Sequence, residues 1–189
     1  MQDIFYFGIA YFFGSIPFGL ILSNLFGNKM LREKGSGNIG ATNVFRTQGK
    51  ILGGLTFILD SSKGAIPVLL CHNEDMKILV MCIAIFAQMY PVWLKFNGGK
   101  GIATFLGALM AFNPIYGIVS IFTWAVIFFT IKISAVAGLS SCLVGTFLCI
   151  LNIHDVSSEF SATNIIAILF IYLLIIYRHK TNIRNLLKK

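Results

Sequence analysis

A glycine-rich run from Gly35 to Asn43 has the composition of an anion-binding loop. Its glycines allow tight turns that direct several backbone N–H groups at one point, which is one way that proteins hold a phosphate. Ser36, Thr42 and Asn43 add side-chain hydrogen bonds, and Arg46 follows with a planar guanidinium that suits a phosphate. The alternative is a plain surface loop with a basic residue that sets membrane topology. The chemistry favours phosphate binding.

A second glycine-rich run, Gly98-Gly99-Lys100-Gly101, stands directly before the short apolar segment Ile102–Phe112. Glycines at the start of a helix expose backbone donors where the helix dipole favours an anion, and Lys100 adds a full positive charge. A simple hinge with a basic residue is the alternative. Two such loops on one side of a membrane suit an enzyme that joins two phosphorylated substrates.

Asp60 and Lys63 lie inside an apolar segment, three residues apart, so they share a helix face and can pair. Ionisable residues at such depth cost about 2.5–3.5 kcal/mol each on insertion scales, and they usually face the interior of a helix bundle. We expect an ion pair that supports the site from behind, in preference to a direct role in chemistry.

Near the carboxyl end, Arg178, His179 and Asn182 follow the last apolar segment. His179 and Asn182 share one helix face, and with Arg178 they could close over an anionic substrate. The alternative is a basic anchor that reaches toward lipid headgroups. Ser134 is expected at a helix start on the same side of the membrane.

The four cysteines show no Cys-x-x-Cys spacing and no neighbouring histidine. We therefore expect Cys71, Cys82, Cys142 and Cys149 to be small buried hydrophobic residues. No metal-binding set, P-loop or nucleophile elbow can be identified, so neither a metal nor another cofactor is predicted. A covalent nucleophile with its base cannot be assembled either.

The elements that carry these residues are membrane helices. Of 189 residues, 57% are apolar and 12% are charged, about half of the charged share of a soluble domain. That composition excludes a disordered chain and argues against a soluble globule. Residues 1–189 contain no linker or low-complexity stretch, so a single integral-membrane domain is predicted.

We predict an all-α polytopic membrane protein with seven membrane helices, one of them short. A span needs about 20 apolar residues, and six segments approach that length. They are Ile4–Phe26, Ile51–Leu70, Ile78–Phe96, Ile115–Ile131, Ile133–Leu151 and Ala162–Tyr177. The seventh, Ile102–Phe112, covers about half a membrane thickness at about 1.5 Å per residue. It is either a short span or a re-entrant half-helix.

The net charge of +8 is placed as membrane topology requires. Lysine and arginine gather on one predicted side, which the positive-inside rule makes cytoplasmic, and acidic residues gather on the other. This puts the amino terminus outside and the carboxyl terminus in the cytoplasm. Anionic lipid headgroups or an anionic substrate explain the basic side better than nucleic acid does. The basic groups lie at 29–50, 95–100, 132 and 178–189, and the acidic ones at 74–75 and 155–159.

Four motifs in order resemble the bacterial acyl-phosphate:glycerol-3-phosphate acyltransferase family of the PlsY type, nearly from end to end. They are the run 35–46, Asp60-x-x-Lys63-Gly64, the run from Tyr90 to Thr104, and Arg178-His179-x-x-Asn182-Ile183. Two positions depart from the family pattern. Ala87-Gln88 stands where Gly-His is usual, and Asn185 stands where a basic residue is usual. Gln88 can form hydrogen bonds but cannot carry a proton.

The resemblance implies a multi-pass enzyme of the bacterial inner membrane with its active site on the cytoplasmic face. Such an enzyme moves a fatty acyl group from acyl phosphate to the 1-hydroxyl of glycerol 3-phosphate, giving lysophosphatidic acid and phosphate. It needs no metal, acyl-CoA or acyl carrier protein. We expect membrane lipids around it, no nucleic acid and no obligatory protein partner.

The expected site combines the motifs in three roles. The catalytic residues are predicted to be Ser36, Arg46, Lys100, His179 and Asn182. The substrate-binding residues are predicted to be Gly37, Asn38, Thr42, Asn43, Lys95, Gly99, Gly101 and Ser134. Asp60 and Lys63 are predicted to support them, and the acyl chain is expected to enter sideways from the bilayer. The alternative function is a membrane transporter for a phosphorylated anion, which would need a binding site near the middle of the membrane.

Overall fold

The computed structural model describes residues 2–27, 30–155 and 161–188. Within these ranges the chain is helical and contains no strand, which confirms the predicted all-α class. The α-helices are α1 Gln2–Ser15, α2 Phe18–Phe26, α3 Ala41–Gln48, α4 Lys50–Leu70, α5 Lys77–Met89, α6 Ile102–Phe112, α7 Pro114–Ile131, α8 Ser134–Asp155, α9 Ser161–Arg178 and α10 Lys180–Leu187. Short 3-10 turns lie at Leu31–Glu33, Glu74–Met76 and Val92–Leu94.

Several helical stretches are long and apolar enough to cross a membrane. Among the described residues they are Asp3–Phe26, Glu74–Leu94, Pro114–Ile131 and Ser134–Asn152, with α9 and α10 as a fifth if that pair, bent by 53°, counts as one. The composition and the helix lengths therefore identify a multi-pass membrane protein. The seven-segment count and the orientation stay predictions, and Lys29 and residues 156–160, used for them, lie outside the described residues.

Two predicted spans differ from the observed helices, and proline explains both. The first is interrupted at Ile16-Pro17 between α1 and α2, and the third ends as an α-helix at Met89, shortly before Pro91. Proline has no N–H for the helix ladder and its ring clashes with the preceding turn. The carbonyl oxygen of Ser15, freed by the first break, accepts a hydrogen bond of 2.7 Å from the Trp93 indole Nε1.

Helices α4 and α6 pack with their backbones in close contact. A Cβ on Gly64 of α4 would lie 2.1 Å from the Thr104 carbonyl oxygen, and one on Gly107 of α6 would lie 2.0 Å from that of Ser61. Small residues at such interfaces let membrane helices approach closely. This contact fixes the amino-terminal end of α6 beside the polar middle of α4.

The interior packs apolar side chains of α5, α6 and α9, and many large apolar side chains elsewhere face outward, as in a helix bundle surrounded by lipid. All four cysteines are buried, as predicted. All four belong to the apolar core.

Candidate functional site

Two adjoining cavities lie at one end of the bundle, where several helices begin and α9 ends. Chamber one has a volume of about 400 Å³ and chamber two about 740 Å³. They share a set of lining residues that are all polar or charged: Ser36, Asn38, Arg46, Lys100, Asn182 and Asn185. The shared residues form the boundary between the chambers, and five of the six were predicted from the motifs, Asn185 being the exception.

Three helix amino termini converge on chamber one. Its wall includes residues 40–42 at the start of α3, 101–103 at the start of α6 and 133–135 at the start of α8. The first N–H groups of a helix have no partner within the helix, and the dipole makes that end positive, so such ends favour anions. The hydroxyl oxygens of Thr42 and Ser134 lie 3.2 Å apart and join two of these helix starts.

One part of the chamber one wall is apolar. It is lined by side chains of α4, α6, α7 and α10, namely Phe57, Leu106, Trp124 and Leu186. An anion-favouring head therefore continues directly into an apolar space. This is the shape that a molecule with a charged head and a hydrocarbon tail requires.

Chamber two is strongly basic. Arg32, Arg178 and Lys180 line it together with the shared Arg46 and Lys100, and no aspartate or glutamate is among its described lining residues. Burial and the nearby charge of Arg178 both lower the pKa of Arg32. So many cations without a counter-charge make the chamber suitable for a multiply charged anion.

The glycine-rich loop at 35–43 is held together by Asn43, a residue predicted to bind substrate. The buried Asn43 side chain accepts from the Ser36 N–H at 2.9 Å and donates to the carbonyl oxygens of Lys34 and Asn38 at 3.2 and 2.8 Å. The Gly37 N–H donates to the Lys34 carbonyl oxygen at 3.1 Å. The prediction that backbone N–H groups of this loop hold a phosphate is therefore wrong for Ser36 and Gly37, whose N–H groups form hydrogen bonds within the loop.

The second glycine-rich loop also spends its first donors internally. Gly98 N–H and Gly99 N–H donate to the carbonyl oxygens of Met89 and Gln88 at 3.0 and 2.9 Å. The carbonyl oxygens of the same glycines accept from the Arg178 guanidinium at 2.6 and 3.1 Å. Gly99 lines neither chamber, and its hydrogen bonds stabilise the loop. The start of α6, which Gly101 caps with a φ of 85°, lines chamber one, so of this loop it is the part whose N–H groups suit an anion.

Lys100 and His179 have shifted acid–base properties. Burial, with the charges of Arg178 and Arg46 close by, lowers the pKa of Lys100 to about 8, and its ammonium donates to the Asn182 side-chain oxygen. Burial also lowers the pKa of His179 to about 4: its hydrogen bond to Ile175 raises the pKa by less than burial lowers it, and the charges of Lys100 and Arg178 lower it further. His179 is therefore neutral near pH 7.

The tautomer of His179 follows from its one backbone contact. Its Nδ1 lies 2.8 Å from the carbonyl oxygen of Ile175, and a carbonyl can only accept. The proton is therefore on Nδ1, and Nε2 is left as a hydrogen-bond acceptor. His179 lines chamber one.

The other predicted residues fall into two groups. Asp60 lines chamber one, and its carboxylate lies 2.8 Å from the Lys63 ammonium, which lines neither chamber. Lys95 lies apart from the site, since it is exposed, has a left-handed backbone with a φ of 49°, and lines neither chamber. The expectation that Lys95 belongs to the substrate-contacting wall is therefore not met by the structure.

Several lining residues were not predicted as part of the site. Phe57 and Trp124 reach it through tertiary packing, and no spacing in the sequence connects them to the motifs. Lys180 stands within the motif that begins at Arg178, and Arg32 lies three residues before Gly35, so their closeness in sequence was a signal. Gln88 had a signal, because it replaces the usual histidine of the resembled family, and it lines chamber one.

The sequence model of glycerol-3-phosphate acyltransferases matches residues 4–189. The chain belongs to this family. It is 39% identical over 183 residues to the glycerol-3-phosphate acyltransferase of Pelagibacter ubique (strain HTCC1062), covering 95% of this chain and 91% of the relative. It is 42% identical over 185 residues to the corresponding protein of Wolbachia pipientis wMel, covering 95% and 92%.

Solved structures agree with this membership. The fold matches a crystal structure of PlsY, an integral membrane glycerol 3-phosphate acyltransferase, in its glycerol 3-phosphate form, with a TM-score of 0.89 and 34% identity. A second PlsY structure, in a lysophosphatidic acid form, matches with a TM-score of 0.86 and 33% identity. Each match covers 100% of this chain and 93% of the PlsY chain. The resemblance to a PlsY-type family is thereby confirmed.

Proposed function

We propose that this protein transfers a fatty acyl group from acyl phosphate to the 1-hydroxyl of glycerol 3-phosphate, giving lysophosphatidic acid and inorganic phosphate. The observation that carries the proposal is the pair of chambers, one basic and one with an apolar wall, which share Arg46 and Lys100. The family membership and the ligands named for the PlsY structures support the acceptor and the product.

We assign one substrate to each chamber, and the character of the two walls supports this. Acyl phosphate fits chamber one, with its phosphate near the three helix starts and its chain along Phe57, Leu106 and Trp124. Glycerol 3-phosphate fits the basic chamber two. The shared Arg46 and Lys100 then lie between two phosphates, where positive charge offsets the repulsion that keeps two anions apart.

The reaction needs little from the protein beyond this placement. Acyl phosphate is an activated mixed anhydride, so the hydroxyl oxygen of glycerol 3-phosphate can attack the acyl carbon directly. The new C–O bond forms, the bond to the phosphate oxygen breaks, and phosphate leaves with its electron pair. Holding the two reactants together and stabilising the developing charge supply most of the rate.

The hydroxyl proton goes to a phosphate oxygen of a substrate in this proposal. His179 offers Nε2 as an acceptor, but a pKa of about 4 makes it a weaker base than a phosphate, whose second ionisation lies near pH 6. We propose that His179 accepts a hydrogen bond from a substrate and does not take up the proton. Asn182, which accepts from Lys100, orients that ammonium.

The wider setting is proposed together with the reaction. The chain forms one membrane domain with seven segments in the bacterial inner membrane and has its site on the cytoplasmic face, with Ile102–Phe112 as the short segment. It works without metal, cofactor or obligatory protein partner. The anion-transport alternative would need a central site, whereas the chambers lie where α3, α6 and α8 begin and α9 ends.

An assay of the purified protein tests the donor. Phosphate release and lysophosphatidic acid formation are followed with palmitoyl phosphate and glycerol 3-phosphate, and in parallel with palmitoyl-CoA as donor. We expect turnover with palmitoyl phosphate as donor and none with palmitoyl-CoA. Phosphate and lysophosphatidic acid should form in equal amounts. Turnover with palmitoyl-CoA and none with palmitoyl phosphate would refute the proposed donor.

A further inference from the structure

A buried polar cluster lies directly behind the wall of chamber one. The ammonium of Lys63, 1% exposed, donates to the Ile16 carbonyl oxygen at 2.6 Å and to the Gln88 side-chain oxygen, and it lies 2.8 Å from the Asp60 carboxylate. An ammonium has three protons and no acceptor, so these three partners saturate it. Lys63 does not line the chambers, but Asp60 and Gln88 both line chamber one.

This cluster fixes the orientation of the Gln88 amide. Because Lys63 can only donate, the atom that faces it must be the amide oxygen, and the NH₂ group must point the other way. That group lies against the loop that carries Lys100, since a Cβ on Gly99 would come within 2.5 Å of Gln88 Nε2. Gln88 is 4% exposed, and none of the described residues accepts a hydrogen bond from Nε2.

The position of Gln88 favours a neutral acceptor. The Asp60 carboxylate shares the Lys63 ammonium with Gln88, so the two side chains lie together in the wall of chamber one. A phosphate would be repelled by that carboxylate, whereas a carbonyl oxygen carries no full charge before the reaction. The cations that suit phosphates, Arg46 and Lys100, lie at the boundary with chamber two.

We propose that Gln88 donates a hydrogen bond from Nε2 to the carbonyl oxygen of the acyl donor. The inference rests on the proposed function only for the identity of the donor. As the hydroxyl oxygen attacks the acyl carbon, the carbonyl oxygen gains negative charge, and the Gln88 N–H stabilises it until the bond to phosphate breaks. Lys63 is the positioning residue, because it holds the amide in the required orientation before substrate binds.

Three substitutions of Gln88 separate this function from a purely structural one. Gln88→Glu has nearly the same shape and keeps an acceptor for Lys63, but it replaces the N–H donor with oxygen. Gln88→His keeps a donor, since a neutral imidazole accepts from Lys63 with one nitrogen and donates with the other. Gln88→Met removes both functions and serves as the reference for loss of the cluster.

The variants are compared by thermal unfolding of the purified proteins and by saturation kinetics with both substrates. We expect Gln88→Glu to unfold at the wild-type temperature or above and to lose about a hundredfold in kcat, with an unchanged KM for glycerol 3-phosphate. Gln88→His should keep kcat within a few-fold of wild type. Gln88→Met should lose both stability and turnover.

Two outcomes would refute the proposal: a folded Gln88→Glu with more than half of the wild-type kcat, or a folded Gln88→His as slow as Gln88→Glu. Failure of the proposed donor would look different. The wild type would then use palmitoyl-CoA and not palmitoyl phosphate, and because both donors present an acyl carbonyl oxygen, the same three variants would still decide the function of Gln88.

Discussion

Arg46 lines both chambers, as does Lys100, and both are cations at a boundary without a described acidic neighbour. Asp60, which also lines chamber one, is paired with Lys63 and does not neutralise them. Their charge is therefore available to substrates. Each side chain supplies a positive charge, which a second phosphate needs in order to bind beside the first.

Arg46→Ala and Lys100→Ala should each abolish acyl transfer while the protein still inserts and purifies. Removing one of the two cations that lie between the two phosphates commonly costs several kcal/mol, which is more than a hundredfold in rate. Initial rates at saturating acyl phosphate are the measurement. Lys95→Ala is the matched control, since Lys95 is exposed, lines neither chamber and should be dispensable. Residual turnover of more than a few per cent in either variant would contradict this assignment.

The acid–base property of Lys100 predicts a pH dependence with a definite sign. With a pKa of about 8, Lys100 is an ammonium below that pH and a neutral amine above it. A bound anion favours the charged form, so kcat/KM for glycerol 3-phosphate should fall as the pH rises through about 8. Lys100→Arg stays charged throughout this range and should move the fall to higher pH. A pH profile of kcat/KM from 6 to 10 that is the same for both proteins would contradict the prediction.

At the scale of the elements, the sequence shows which loops matter but not how they work. The glycine spacing at 35–43 and 98–101 identifies both loops, because glycine-rich runs beside cations are distinctive in an apolar chain. The use of Gly98 and Gly99 N–H groups by the end of α5 depends on tertiary contacts. The convergence of α3, α6 and α8 does too, since their first residues are about 30 to 90 positions apart along the chain.

The contact between α4 and α6 predicts a sensitive position. Gly64→Ala places a Cβ 2.1 Å from the Thr104 backbone oxygen, so the helices must separate and the start of α6, with Lys100 just before it, must move away from α4. We expect a loss of about 1–3 kcal/mol in the free energy of unfolding, together with reduced turnover. Gly54→Ala is the control in the same helix, because a Cβ there meets nothing within 4 Å. Equal thermal stability of the two variants would show that the interface can adapt.

At the scale of the whole molecule, chemistry and lipid contact are separated along the bundle. Exposed apolar side chains such as Ile51, Phe122 and Leu173, each more than 60% exposed, face outward from several helices. The basic residues of chamber two lie together at the end where α9 stops. The composition predicted this division from hydropathy and charge alone. The breaks at Pro17 and after Met89 were missed although both prolines stand in the sequence. What the sequence could not show is that the freed groups are satisfied by distant residues such as Trp93.

The orientation of the bundle gives the last prediction. If the basic end is cytoplasmic, the acidic turn after α4 lies outside the cell and the end of α10 lies inside. Single cysteines are introduced as Asn73→Cys and Lys188→Cys in a protein from which the four buried native cysteines have been removed; both positions are exposed. A membrane-impermeant maleimide should label the first in intact cells and the second only after lysis. Retained acyl transfer in each variant verifies the fold. Labelling in the reverse order would place both chambers on the outer face, where cytoplasmic substrates cannot reach them, and would overturn the proposed orientation.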